Sequence, residues 1–69
     1  MTQKQFQAAC AALWGPRYQL EATRELGVGR SSVVRYDAGE RAVPDAIAER
    51  LRQLLTERGR LINGLLVRW

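Results

Sequence analysis

Glycine and proline constrain this chain more than any other feature. Gly15-Pro16, Gly27-Val28-Gly29, Gly39 and Pro44 interrupt its first two-thirds at short intervals, and neither residue type is well tolerated inside a helix. Each intervening piece must therefore form its own short element. In the first, Phe6, Ala9, Cys10 and Leu13 recur at i, i+3, i+4 and i+7, the spacing that lays a stripe along one helix face. Thr2, with Gln5 three residues on, forms a capping-box signature, which predicts a helix over Gln3 to Trp14.

The second piece predicts a helix beginning between Pro16 and Gln19, turning Ala22, Thr23 and Leu26 inward and closing at Gly27. The third, Arg30 to Ala38, has Val33 and Tyr36 as its inward face and leaves Arg30, Ser31, Val34 and Arg35 outside. Gly39 ends it. A loop over Glu40 to Val43 leads to Pro44, which suits the first turn of a fourth helix, whose apolar stripe is Ile47, Leu51, Leu54 and Leu55. The tail from Arg60 is too apolar for a solvated end. As a helix it presents Leu61, Ile62, Leu65, Leu66 and Trp69 on one side, whereas Asn63-Gly64 also permits a small hairpin or an extended arm. The expected fold is all-α: four to five short helices, with residues 1–58 as one domain and 59–69 as a C-terminal segment packed on that domain and used for dimerisation.

At 69 residues, a domain buries only a modest share of its surface and usually needs an added source of stability. The single Cys10 cannot close an internal disulfide and reads as a small buried thiol in a reducing compartment. A second copy is the natural support, with Leu54, Leu55, Leu61, Leu65, Leu66 and Trp69 as its interface. The formal charge of +4 implies an acidic partner, and nucleic acid is the commonest one for a basic domain. Histidine is absent, which removes the commonest general base and metal ligand together. No glycine-rich phosphate loop, nucleophile elbow or ligand cluster accompanies the carboxylates. The expectation is a protein that is not an enzyme, with no metal, cofactor or small-molecule ligand. No stretch approaches the roughly 20 apolar residues that cross a bilayer, and Met1-Thr2-Gln3-Lys4 does not open a secretory signal, so a cytoplasmic protein is expected.

Two short helices joined by a tight glycine turn make a helix-turn-helix, whose second helix enters the major groove of DNA. The run from Gln19 to Gly39 resembles the helix-turn-helix of Cro and phage-repressor type (XRE-like) regulators. The resemblance is carried by Leu-Gly-Val at 26 to 28, Ser-Ser-Val at 31 to 33 and Arg-Tyr-Asp-Ala-Gly-Glu-Arg at 35 to 41, followed by Pro44. It covers about a third of the chain. Ala22 and Thr23 stand where that family usually has Leu and Ala, and Gly29 where it commonly has Ser or Thr. Thr23 keeps the helices close if its hydroxyl bonds its own helix backbone; Leu20 faces outward without explanation in this register.

The resemblance places Gln19 against phosphate and Arg30, Ser31 and Arg35 against bases. Their chemistry agrees: arginine's planar fork matches O6 and N7 of guanine, serine serves base or phosphate, and exposed Val34 can meet a thymine methyl. Arg17, Ser32 and Arg41 are better placed for the backbone, where they add affinity and register without reading sequence. For each arginine the plainer reading is a solvated or ion-paired surface group, as for Arg35 with an acid on its own helix. Asp37, repelled by phosphate, reads as structural, holding the next loop through backbone amides or Arg41.

One such helix reads only a few base pairs, so the expectation is a homodimer on an inverted-repeat operator, repressing by steric exclusion of polymerase. The layout is similar to compact regulators of phage and mobile-element operons, including autorepressors beside anti-CRISPR genes. The competing class is an antitoxin-like or other protein-interaction module whose tail binds a different protein. A single-strand or RNA binder needs exposed aromatic platforms, for which only Trp14, Tyr18 or Trp69 are available.

Overall fold

A computed structural model describes all 69 residues. The chain is all-α, with four helices: α1 (Gln3–Trp14), α2 (Gln19–Leu26), α3 (Arg30–Ala38) and α4 (Asp45–Arg68). Helix α1 begins as its capping box requires. The Gln5 amide donates to Thr2 Oγ1 at 3.1 Å, and the Thr2 amide donates to Gln5 Oε1 at 2.8 Å. Gly27 and Gly39 close α2 and α3 at φ +65° and +76°, the left-handed region that a Cβ disfavours.

The core gathers one stripe from each helix. Phe6, Cys10 and Leu13 of α1 meet Ala22 and Leu26 of α2, Val33 and Tyr36 of α3, and Leu51 of α4. The rings of Phe6 and Tyr36 meet edge-on, 5.7 Å between centroids at 68°, which adds a directional preference to their burial. Helix α1 is the hub: it packs on the other three, as the shorter α2 also does, whereas α3 and α4 do not pack on each other. Val28, in the turn between α2 and α3, covers the core from the edge.

Two expectations are corrected at the C-terminal end. Pro44 is the N-cap of α4, at φ −61° and ψ 150°, rather than part of its first turn. The residue before Asp45 keeps an extended ψ while its carbonyl already accepts from the Ala48 amide at 3.0 Å. The tail, in turn, is neither a separate short helix nor an arm: α4 runs unbroken through Gly59 and Gly64 for 24 residues, about 36 Å at 1.5 Å per residue. Residues 59–69 do not pack on their own domain. All are exposed, with Leu65 at 66% and Trp69 at 101%, because α1 ends at Trp14 and leaves nothing beneath the second half of α4. No helix is long and apolar enough to cross a membrane.

Arg58 marks where α4 leaves the domain. Its Nη1 donates to the Leu13 carbonyl at 3.1 Å, supplying a cation to a helix end that has no basic residue in its own last turn.

Two substitutions test this account of the core. Leu51→Ala is expected to cost about 2–5 kcal/mol of unfolding free energy, since Leu51 is fully buried. Gly39→Ala should cost about 1–2 kcal/mol for the left-handed backbone, and its Cβ would fall 2.7 Å from Gln3 Oε1. Chemical denaturation checks both; losses no larger than that of the exposed Gln53→Ala would contradict the packing.

Candidate nucleic-acid interface

Helices α2 and α3 and the turn Gly27-Val28-Gly29 form the expected helix-turn-helix. At about 100° per residue, burying Val33 and Tyr36 must turn Arg30, Ser31, Val34, Arg35 and Ala38 outward, and all five are exposed. They share an arc of about 140°. Every expected base-facing residue therefore lies on one uninterrupted face. Its arginines are free of acids: the one ion pair of the chain joins Arg52 and Glu49 on α4, so the pairing of Arg35 with an acid on its own helix is not formed.

The expected phosphate contacts fall into two sets, one at each edge of that face. Along one edge Arg17 and Gln19, from the start of α2, meet Arg30 in a cleft of about 380 Å³ that also touches Tyr18, Leu20 and Asp37. Gln19 and Leu20, in the first turn of α2, line this cleft, and that turn has no side-chain cap, as in a helix N-terminus open to an anion. Along the other edge, half-buried Ser32 accepts a hydrogen bond on Oγ from Arg41 Nη1 at 3.3 Å. Thr23 Oγ1 donates to the Gln19 carbonyl at 2.8 Å, so its hydroxyl is satisfied and the two helices pack closely. Nothing in the structure explains the exposure of Leu20.

Asp37 is structural, but its partner is neither Arg41 nor a loop amide. Its Oδ1 accepts from the Tyr18 hydroxyl, and its carbonyl accepts from Gln3 Nε2 at 2.9 Å and Gln7 Nε2 at 2.8 Å. Tyr18 is thereby buried and is no stacking platform; Trp14 is half-buried. Gln3 and Gln7 hold α3 in place, a role with no local signal in the sequence. Their four-residue spacing places them on one side of α1, but nothing local says what that side faces.

The residues expected at a dimer interface divide. Leu54 and Leu55 are half-buried against the chain's own core, while Leu61, Leu65, Leu66 and Trp69 stand free in solvent. Compared with protein-family models, curated proteins and solved structures, the chain matches none.

The Tyr18–Asp37 contact and buried Cys10 give the domain a pH dependence. Burial first, then the Asp37 charge, pushes the Cys10 thiol up to about 12. Burial, its hydrogen bond to Asp37, the charge of Asp37 and then that of Cys10 all raise Tyr18 above its ordinary value. Both groups hold their protons more tightly folded than unfolded. Their contribution is complete below the unfolded thiol value of 9.0 and is lost as pH rises from there towards the folded values. Denaturant titrations at pH 7 and about pH 10.5 should show falling stability. Tyr18→Phe should cost about 1.5–3 kcal/mol at pH 7 and flatten the fall, and a wild type equally stable at both values would refute it.

Proposed function

We propose that this protein is a sequence-specific double-stranded-DNA-binding regulator that works as a homodimer on an inverted-repeat operator and represses by occupying it. The observation that carries the reading is the outer face of α3, where Arg30, Ser31, Val34 and Arg35 stand exposed between the Arg17–Gln19 and Ser32–Arg41 edges. That is the arrangement a groove reader needs: base-directed side chains in the middle and backbone-directed ones at the rims. Arg30 and Arg35 are five residues apart, about 7.5 Å along the axis, a span that reaches neighbouring base pairs at 3.4 Å spacing. The net charge of +4 supports the same reading, as does the resemblance to Cro and phage-repressor type regulators. On this reading the protein is not an enzyme, uses no cofactor, and works in the cytoplasm on the nucleoid.

The exposed apolar end of α4 favours one other reading: an antitoxin-like module whose tail is covered by a different protein.

Selection from random duplex DNA, with a salt titration, distinguishes the two. Enrichment of an inverted repeat that Arg35→Ala binds about 1–3 kcal/mol more weakly is expected. Arg41→Ala should weaken all sequences alike and lower the salt slope by about one. Salt-sensitive binding with no enriched site would overturn the regulator and leave the interaction module.

A further inference from the structure

Along α4, Leu51, Leu55, Arg58, Ile62, Leu65 and Trp69 follow one another at alternating steps of four and three residues, the 3.5-residue repeat that keeps one seam of a helix turned towards a partner. The chain covers the first part of this seam itself: Leu51 is buried, and Leu54 and Leu55 pack against the core. That cover stops at Arg58, whose guanidinium meets the Leu13 carbonyl at the end of α1. Past it the seam is bare, and Leu61 and Leu66 flank it, as exposed as Leu65. Its surface is not flat. Ile62, Leu65, Leu66 and Trp69 line an open apolar hollow of about 420 Å³. Those four stand at i, i+3, i+4 and i+7, the neighbours on a helix surface that form the hole for a facing helix's knob in a coiled coil.

We infer that the tail of α4 pairs with the same tail of a second copy as a short antiparallel coiled coil, Ile62 of each copy filling the hollow of the other. The inference rests on the homodimer reading and supplies its geometry. A two-fold axis crossing α4 between Asn63 and Gly64 sets Ile62 level with the partner's Leu65, and Arg58 level with the partner's Trp69. The middle of the hollow, between Leu65 and Leu66, then lies within about 1.5 Å along the axis of the partner's Ile62. One operation fills both hollows, as an isologous contact requires. The partner's helix also takes up the seam where the chain's own cover leaves it. A parallel pair is blocked, because it would lay the first half of the partner's α4 on the stretch of seam that the core already occupies.

This register finds a place for the surplus of cations in the tail, where residues 57–69 carry Arg58, Arg60 and Arg68 against Glu57 alone. Arg60 lies on the side of α4 away from the seam and stays in water. Arg58, already at the carbonyl end of α1, comes level with the carbonyl end of the partner's α4 as well, and a cation is favoured at both. The ring of the partner's Trp69 is then within reach of its guanidinium, a favourable pairing. Arg68 falls on the flank that carries the partner's Glu57, about 3 Å away along the axis, so the one acid of each tail is offered a cation of the other.

Sedimentation equilibrium of the full chain, with denaturant unfolding of the domain as a control for folding, tests the proposal. A wild-type dimer is expected. Ile62→Asp should raise its dissociation constant more than about tenfold, Leu65→Asp reads the same seam independently, and Arg60→Ala on the far side should leave the constant unchanged. Orientation is read by oxidative cross-linking of Arg58→Cys and Trp69→Cys chains, the native Cys10 being buried. A mixture of the two variants should form a disulfide-linked pair that neither forms alone. A dimer indifferent to Ile62→Asp and Leu65→Asp would overturn the seam, and one in which each cysteine variant links to itself, or in which the mixture does not link, would overturn the antiparallel register; both leave the homodimer standing. A monomeric wild type would overturn the pairing and the homodimer together, while DNA selection separately decides whether the protein reads sequence.

Discussion

The geometry of the whole helix-turn-helix hangs on Asp37. The last carbonyls of a helix have no partner within it, and at the end of α3 that deficit is met from α1, whose Gln3 and Gln7 amides both donate to the Asp37 carbonyl. The carboxylate of the same residue holds the Tyr18 hydroxyl, and Tyr18 is the residue from which α2 departs. One residue thus ties α3 to the hub helix and to the start of its own partner helix. Each neutral bond contributes only about 0.5–1.5 kcal/mol. Together with Val33 and Tyr36 in the core, however, they fix both the rotation and the tilt of α3, and so the direction in which Arg30 and Arg35 point.

Signals confined to a few neighbouring residues were legible in the sequence. The Thr2–Gln5 box, the left-handed glycines at 27 and 39, and the inward pair Val33 and Tyr36 each express a local rule of backbone or periodicity, and α1 and α3 begin and end, and α2 ends, where the sequence puts them; the start of α2, open between Pro16 and Gln19 in the sequence, falls at Gln19. The outer face of α3 followed, because burying two residues of a short helix leaves the rest no choice. What could not be read depended on distant partners. That Asp37 takes Tyr18, and that Arg58 reaches the end of α1, are facts of tertiary placement with no local trace. The tail was ambiguous for a different reason. Asn63-Gly64 is as good a turn as it is a poor helix segment, and only the unbroken hydrogen-bonded backbone from Asp45 onward resolves it. Its apolar side chains ask for cover, and within one chain they find none.

The distribution of side chains also separates tasks in space. Around α1, one side supports α3, the adjacent arc builds the core, and the side carrying Ala8 and Ala12 lines an open hollow against α4. Because α3 and α4 do not pack together, changes at the end of α4 have no direct path to the arginines of α3. On the proposed function, affinity for a partner and discrimination among sequences would then vary nearly independently, which is how well-separated, unshared contacts behave in general.

The free half of α4 carries two glycines, Gly59 and Gly64, and no tertiary support. Each glycine makes a helix interior less favourable by about 0.5–1 kcal/mol relative to alanine, and isolated helices shorter than about 12–15 residues are marginal in water. Stability must therefore fall steeply along this one helix. Its first half opens only when the domain unfolds, whereas its second half frays and re-forms on its own. Amide exchange along α4 would record that gradient as rapid loss of protection past Arg58. Whatever binds the tail must first still it, so part of the contact energy is consumed in ordering the helix and the complex is shorter-lived than its buried area suggests.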